Sequence, residues 1–222
     1  MIKAAARTAG VSRRHMMLGA TLLTASALAI AAFTGLAKAD PFPGNPAPAF
    51  SGATAAGETV SLSDFAGQTV ILEWTNHDCP FVMKHYNHGT TMADLQARAA
   101  DEGHVWLQII SSFPGTQGHV SGERALELND ERGASPTYVI LDESGEIGRA
   151  YEARTTPHMF VIDADGVIQY AGAIDDQPSA NPASLNGARN YVSQALDELA
   201  AGEPVSTPET QPYGCSVKYE GT

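Results

Sequence analysis

The chain contains two cysteines, Cys79 and Cys215, and their positions define the chemistry that it could perform. Cys79 follows an apolar segment and precedes Pro80, which is typical of the first turn of a helix entered directly from a strand. A thiol reacts as its thiolate, and the free N–H groups and dipole of a helix N-terminus stabilise that anion. We therefore expect Cys79 to be a reactive nucleophile. The alternative is a buried core cysteine without chemistry.

Cys215 lies near the C-terminus, after a Pro-rich linker, in a segment that need not belong to the folded core. We predict that residues 202–222 form a mobile tail. A thiol on such a tail can meet Cys79 after Cys79 has been oxidised, and the two can then form a disulfide. The alternative is a permanent disulfide that fixes the tail over a site without activity.

Residues 1–39 have the features of a bacterial export signal of the twin-arginine kind. Paired Arg13 and Arg14 precede an apolar stretch at residues 16–36, and Ala-Lys-Ala at residues 37–39 forms a cleavage site. We therefore predict an exported, periplasmic protein in a compartment where disulfides can form. An uncleaved membrane anchor is the alternative interpretation of the same segment.

The charge of the chain limits its partners. The sequence has 13 Lys and Arg against 25 Asp and Glu, which gives a net charge of −12 at pH 7. The signal segment contains five basic residues and no acidic residue, so the remaining chain is more acidic still. Such a charge argues against nucleic acid and anionic membranes. We expect no nucleic-acid partner and no stable membrane association after the signal is removed.

The elements that must position Cys79 form one predicted α/β domain at residues 51–201, after a Pro-rich lead-in at residues 40–50. The pattern predicts a hairpin around Gly57, then alternating strands and helices, then a hairpin that turns at Asp165 and Gly166, then a last helix. The expected strands are 59–62, 69–74, 105–111, 138–141, 158–162 and 167–171, and the expected helices are 81–100, 121–132, 146–151 and 181–201. This order predicts a central mixed β-sheet flanked by helices, with the N-terminal hairpin as an extension.

This order, with a cysteine at the start of the first long helix, resembles the thioredoxin fold. It is most similar to the redoxin branch of that fold, the alkyl hydroperoxide reductase and thiol-specific antioxidant family. The resemblance spans residues 46–199 and is carried by AFSGATAAGETVSLSDFAGQTVILEWTNHDCPF, by YVILDESGEIGRAYEARTTPHMFVIDADG and by their spacing. It implies a cis proline at Pro157 facing Cys79, and a substrate groove shaped by Thr156 and Pro157. Similar small redoxins often end in Gly-Cys-Ser, which implies that Cys215 pairs with Cys79 as its resolving thiol.

Two local differences from well-known members of this fold bear on the chemistry. Val82 stands where thioredoxin-like reductases and oxidases have the second cysteine of Cys-x-x-Cys. Peroxiredoxins usually have Pro-x-x-x-Thr-x-x-Cys, whereas here Asn76 stands three residues before Cys79, with Thr75 one step further back. Asn76 or Thr75 could still donate a hydrogen bond to a bound peroxide. Arg154 offers a charged fork that suits an oxyanion or a peroxide oxygen, so we expect it to lie near the Cys79 thiol as a catalytic residue that helps to bind the oxygen species.

Three functions remain compatible with these residues. The first, which we favour, is a peroxiredoxin-like antioxidant enzyme that uses an unknown thiol reductant as electron donor. The second is a thiol-disulfide exchange protein that acts on exported polypeptides. The third is a binding or metal-handling module without catalysis.

Metal binding has one set of candidate ligands, namely His77, Cys79, His85 and His88. On a helix, His85 and His88 are neighbours, but Cys79 lies six positions before His85 and therefore on nearly the opposite side. We therefore predict no metal site, and we expect no cofactor.

Overall fold

The computed structural model describes residues 40–222, and the export signal predicted at residues 1–39 lies outside the described residues. The described chain contains a seven-stranded mixed sheet in the order β2-β1-β5-β4-β3-β7-β8, and a separate two-stranded pair of β6 and β9. The strands are β1 (Ser51–Thr54), β2 (Thr59–Ser61), β3 (Val70–Trp74), β4 (Val105–Ile110), β5 (Tyr138–Leu141), β6 (Thr155–Thr156), β7 (His158–Ile162), β8 (Ile168–Gly172) and β9 (Cys215–Ser216). The helices are α1 (Pro80–Tyr86), α2 (Thr91–Asp101), α3 (Gly122–Glu131), α4 (Glu146–Ala150) and α5 (Tyr191–Ala200). The thioredoxin-like α/β fold expected from the sequence is confirmed.

The N-terminal hairpin extends this sheet, as expected. Strands β1 and β2 pair antiparallel, and β1 also pairs antiparallel with β5, with Ala53 opposite Leu141. Gly57 in the connection between β1 and β2 has a φ of +90°, a conformation that glycine adopts without steric strain. The hairpin therefore adds two strands at the edge farthest from β7 and β8.

Strand β3 lies inside the sheet and leads directly to the first cysteine. It pairs parallel with β4 and antiparallel with β7, and Trp74 at its end is opposite His158 at the start of β7. The segment that follows β3 therefore emerges beside the segment that precedes β7. This register brings Cys79 and Pro157 to the same end of the neighbouring strands β3 and β7.

Two hydrophobic clusters cover the two faces of the sheet. Because side chains alternate along a strand, Leu72 and Phe160 contribute to one cluster, while Ile71 and Val161 contribute to the other. Helix α4 packs on the first face through Ile147. Helices α1, α2 and α5 pack on the second face, through residues such as Val82, Leu95 and Leu196. Cys79 belongs to the cluster on the second face.

Two predicted helices are interrupted in the structure. The helix expected at residues 81–100 is divided into α1 and α2, with Gly89 in the connection. A Cβ at Gly89 would lie 2.5 Å from Leu185 Cδ1, so the break lets the chain pass close to the segment before α5. The helix expected at residues 181–201 begins with a short 3-10 helix, Pro182–Leu185, and the α-helix starts only at Tyr191. There the Asn190 side chain caps the helix by accepting a hydrogen bond from Ser193 N–H at 2.8 Å.

Within residues 40–222, no helix has both the length and the hydrophobicity that crossing a membrane would require.

Candidate active site

Cys79 is the N-cap residue of α1 and is fully buried. A tight turn links it to β3, in which the Cys79 amide donates to the Asn76 carbonyl at 3.0 Å and the Asn76 side chain accepts from Asp78 N–H at 2.9 Å. Pro80 follows as the first helical residue, as the sequence predicts. The Cys79 thiol accepts no hydrogen bond from the helix N-terminus in this structure, and instead donates to the Thr156 carbonyl oxygen at 3.1 Å.

Thr156 brings the two cysteines together. The Thr156–Pro157 peptide bond is cis, as the resemblance implied. Strand β6 pairs antiparallel with β9, and this register places Cys215 opposite Thr156. The Thr156 carbonyl therefore accepts a hydrogen bond from the Cys79 thiol, and Thr156 is also the strand neighbour of Cys215. Both cysteines are free thiols in the structure.

The surroundings of Cys215 keep its thiol protonated. Burial, a hydrogen bond with Cys79 and the charge of Cys79 raise the pKa of Cys215 to about 12. At neutral pH, Cys215 is therefore a poor nucleophile while Cys79 is reduced. The contribution from the charge of Cys79 disappears once Cys79 has been oxidised.

The C-terminal tail is packed against the domain, so the expectation of a mobile tail is wrong for much of residues 202–222. Thr210 N–H donates to the Ala171 carbonyl of β8 at 3.1 Å, and Val217 N–H donates to the Arg154 carbonyl at 3.0 Å. Val217 is buried, and the Tyr219 hydroxyl donates to the Ala153 carbonyl at 2.7 Å. Strands β6 and β8 have backbone N–H and C=O groups at their open edges, and the tail forms hydrogen bonds with these groups.

Gly214 allows the tail to approach β6 closely. Its φ is +139°, and a Cβ at this position would overlap with the Thr156 carbonyl oxygen. Any larger residue would therefore push Cys215 away from Thr156. The Gly-Cys pair in the sequence thus has a geometric basis in this structure.

A loop between β4 and α3 covers the turn that carries Cys79. The Gln117 side chain donates to the Asp78 carbonyl at 3.1 Å, and its own backbone carbonyl accepts from Asn76 Nδ2 at 3.3 Å. Both the oxygen and the nitrogen of the Asn76 side-chain amide therefore have hydrogen-bond partners within the protein. The contact of this loop with Asn76 could not be predicted from the sequence, because Gln117 is separated from Asn76 by 41 residues and belongs to no motif.

Two buried hydroxyl groups in the segments on either side of Cys79 and Pro157 have no hydrogen-bond partner among the described residues. They are the Oγ1 atoms of Thr75 and Thr156, two of the predicted site residues. Thr75 follows β3 directly, and extension of the β3–β7 register places it opposite Pro157. Because a buried hydroxyl without a partner is costly, these groups favour a small polar molecule at this point.

Arg154 lies apart from this arrangement. Its guanidinium pairs with Glu152 at 3.5 Å, and 65% of its side chain is exposed. It lines a cavity of about 250 Å³ together with Tyr151, His158 and Phe160. Phe160 packs on the sheet face opposite to that of Cys79. The predicted contact between Arg154 and the reactive thiol is therefore not formed in the structure, because the side chain turns toward the other face.

A buried polar network holds α1 on the sheet. Glu73 in β3 is fully buried, and its carboxyl accepts hydrogen bonds from Tyr86 at 2.7 Å and 2.8 Å and from Trp106 Nε1 at 2.9 Å. The Tyr86 hydroxyl also accepts from Gln96 and Gln108. Burial and the carboxyl of Glu73 raise the pKa of Tyr86, so its hydroxyl remains a donor. The network thus anchors the last residue of the helix that begins beside Cys79.

Metal ligands do not converge in the part of the chain that the structure describes. In residues 40–222, no three side chains of His, Cys, Asp or Glu are grouped so that they could hold a metal ion.

The comparisons with known proteins place this site in a family. The model of the Redoxin family matches residues 42–188, which include β3, Cys79, Thr156 and Pro157. The chain belongs to the Redoxin family. Redoxins are generally thiol oxidoreductases with a thioredoxin-like fold. No curated protein sequence matches the chain at a significant level.

Solved structures share this redoxin architecture over most of its length. A hypothetical protein from Sinorhizobium meliloti 1021 matches with a TM-score of 0.67 and 21% identity, covering 80% of this chain and 94% of that one. An uncharacterized conserved protein from Geobacillus kaustophilus matches with a TM-score of 0.66 and 26% identity, covering 81% of this chain and 93% of that one.

Proposed function

We propose that this redoxin is an exported, peroxiredoxin-like antioxidant enzyme in which Cys79 is the reactive thiol and Cys215 the resolving thiol. The main support for this proposal is that the Thr156 carbonyl accepts a hydrogen bond from the Cys79 thiol, while Thr156 is also the strand partner of Cys215. The export and the periplasmic location rest on the sequence of residues 1–39.

The proposed cycle has three steps. The Cys79 thiolate attacks one oxygen of a peroxide, so that the O–O bond breaks, Cys79 becomes a sulfenic acid and hydroxide or alkoxide leaves. The Cys215 thiolate then attacks the Cys79 sulfur, a disulfide forms, and the sulfenic oxygen leaves as water after protonation. A thiol reductant finally reduces the disulfide and is itself oxidised.

The high pKa of Cys215 supports this order of events. Because burial and Cys79 hold the pKa of Cys215 high, Cys215 is protonated while Cys79 is reduced. Cys79 therefore reacts first. Once Cys79 is a sulfenic acid, the contribution of the Cys79 charge to the high pKa of Cys215 is absent, which favours the second thiolate.

The unpaired hydroxyls of Thr75 and Thr156 support a small oxygen-containing substrate, since both can donate to a peroxide oxygen. Asn76 contributes by shaping the turn that carries Cys79, and Pro157 by shaping the opposite wall. Arg154 has no role in this proposal, because its guanidinium pairs with Glu152. Cys79 is fully buried, so the tail must lift from Thr156 before a substrate can enter.

Thiol-disulfide exchange with exported polypeptides is the second candidate. The observation that favours it is that β9, an extended strand with a cysteine, already pairs with Thr155 and Thr156. The groove beside Pro157 therefore accepts a polypeptide in extended conformation.

The variant Cys215→Ser separates these two functions. With peroxide, a peroxidatic Cys79 without its resolving thiol should proceed through sulfenic acid to sulfinic acid, a gain of two oxygen atoms in the mass spectrum. An exchange protein should instead accumulate mixed disulfides with exported polypeptides. Cys79→Ser is the matched control and should show neither product. A Cys79 that stays reduced under both conditions contradicts both functions.

A further inference from the structure

The tail is held by a buried ionic cluster that the proposed thiol chemistry does not use. Lys84 of α1 is fully buried, and its Nζ donates to the Gln177 carbonyl at 2.9 Å, to the Tyr213 hydroxyl at 3.1 Å and to Asp175 Oδ2 at 3.4 Å. Lys84 and Asp175 are separated by 91 residues, and Tyr213 lies two residues before Cys215. The cluster thus connects the helix of the reactive thiol to the segment of the second thiol.

Tyr213 is bound in this cluster through both its hydroxyl and its ring. The hydroxyl donates to Asp175 Oδ1 and lies 3.5 Å from His85 Nε2. The ring contacts Phe81 edge to face with 5.8 Å between centroids, and Lys84 Nζ lies 5.2 Å from the ring centroid. Burial and the hydrogen bond to Asp175 raise the pKa of Tyr213, so the phenol remains neutral.

A phenol hydroxyl suits this site because it can donate and accept at once. A buried ammonium and a buried carboxylate are costly unless further hydrogen bonds complete their coordination. Tyr213 supplies a donor to Asp175 and an acceptor to Lys84. Phenylalanine would fill the same space but would leave both charged groups short of a partner.

The position after Tyr213 is equally restricted. Gly214 passes so close to the Thr156 carbonyl that no side chain fits there. A segment bound with tyrosine in the cluster and glycine at Thr156 therefore delivers the next residue, here Cys215, to the strand partner of Cys79.

We propose that Lys84, His85 and Asp175 form a tyrosine-recognition site that selects the segment whose cysteine reacts with Cys79. The ligand class is an extended polypeptide with tyrosine two residues before its cysteine and glycine between them. The tail of this chain is the resident ligand of the site. The proposal rests on Cys79 being the reactive thiol of the proposed function, and it assigns Tyr213 as a positioning residue for the second step.

Tyr213→Phe in the full-length protein tests the site within the chain. We expect the disulfide to form about tenfold more slowly after Cys79 is oxidised, because hydrogen bonds to two charged groups are lost. Cys79 itself should be oxidised at least as fast as in the wild type. Stopped-flow mixing with peroxide, quenched by a thiol-alkylating reagent, separates the two steps. Tyr191→Phe, whose hydroxyl accepts from Arg189 outside the cluster, is the control. Unchanged disulfide formation in Tyr213→Phe would overturn the proposal.

A second test uses peptides and no peroxide. The full-length triple variant Tyr213→Ala/Gly214→Ala/Cys215→Ser removes the resident tyrosine and disfavours docking of the tail on β6. The probes are the peptides Pro-Tyr-Gly-Cys-Ser and Pro-Phe-Gly-Cys-Ser, each with thionitrobenzoate bound to its cysteine. Cys79 attacks the peptide sulfur, a mixed disulfide forms and the coloured thionitrobenzoate leaves. We expect the tyrosine peptide to react about tenfold faster.

The outcomes of the peptide test separate this inference from the proposed function. Equal rates for the two peptides would overturn the tyrosine site while leaving Cys79 as a nucleophile. A Cys79 that reacts with neither peptide would contradict the proposed function, and the tyrosine site with it.

Discussion

Gly214→Ala should release the tail without changing either thiol. The φ of +139° at this position is strained for any residue with a side chain, which costs about 1 to 3 kcal/mol. The overlap of the new Cβ with the Thr156 carbonyl can be relieved only by separating β9 from β6. That separation also loses the hydrogen bond from Val217 to Arg154, worth about 1 kcal/mol.

Together these terms disfavour the docked tail by at least about 2 kcal/mol, which corresponds to about a 30-fold change in the ratio of docked to undocked molecules. Because Cys79 is fully buried and the tail pairs with the strand that the Cys79 thiol contacts, we expect the alkylation rate of Cys79 to follow the undocked population. We expect iodoacetamide to modify Cys79 about 30-fold faster in Gly214→Ala than in its parent, both in a Cys215→Ser background.

Gly202→Ala is the matched control for this experiment. Alanine would also be strained at the φ of +72° that Gly202 adopts, but its Cβ would meet no atom within 4 Å. It should leave the alkylation rate of Cys79 unchanged. If Gly214→Ala and Gly202→Ala gave the same rate as their parent, the tail would not control access to Cys79, and this prediction would be wrong.

Two further predictions concern stability. Burial, followed by the charge of Arg154, lowers the pKa of His158 to about 3. The neutral ring therefore stabilises the folded protein fully above the pKa of the unfolded chain, near 6.5, and this stabilisation is lost as the pH falls toward 3. Urea unfolding should therefore show a loss of about 2 kcal/mol from this ring between pH 6.5 and pH 5, and His158→Phe should reduce that loss. Glu73→Ala should lower the free energy of unfolding by about 3 kcal/mol or more, since Tyr86 and Trp106 lose a buried acceptor. Thermal unfolding checks this against exposed Glu127→Ala, and equal melting temperatures for the two would contradict it.

The sheet could be predicted because its signals are local. The strand at residues 138–141 and the strand at residues 158–162 have the predicted bounds, since each is a short apolar run between turn residues. The position of Cys79 at the start of α1 could be predicted for a similar reason, because a strand, a cysteine and a proline follow one another along the chain. The division of the predicted helix into α1 and α2 was not predicted, although Gly89 stands in the connection between them.

The parts of the site that escaped prediction depend on distant contacts. Strand β9 has two residues and no periodic pattern, so its pairing with β6 leaves no trace in the sequence. Lys84 and Asp175 each look like ordinary surface residues, and only the fold makes them a buried pair. Arg154 shows the converse error, because closeness to Pro157 in sequence does not determine which face of the sheet a side chain reaches.

In the proposed function, Cys79 and Cys215 form one redox pair with peroxide as oxidant. The most direct measurement is peptide mapping by mass spectrometry of the reduced wild-type protein after one equivalent of hydrogen peroxide, with free thiols alkylated. We predict that the peptides containing Cys79 and Cys215 are recovered joined by a disulfide within one chain. Recovery of both as separate alkylated peptides would contradict this redox pairing.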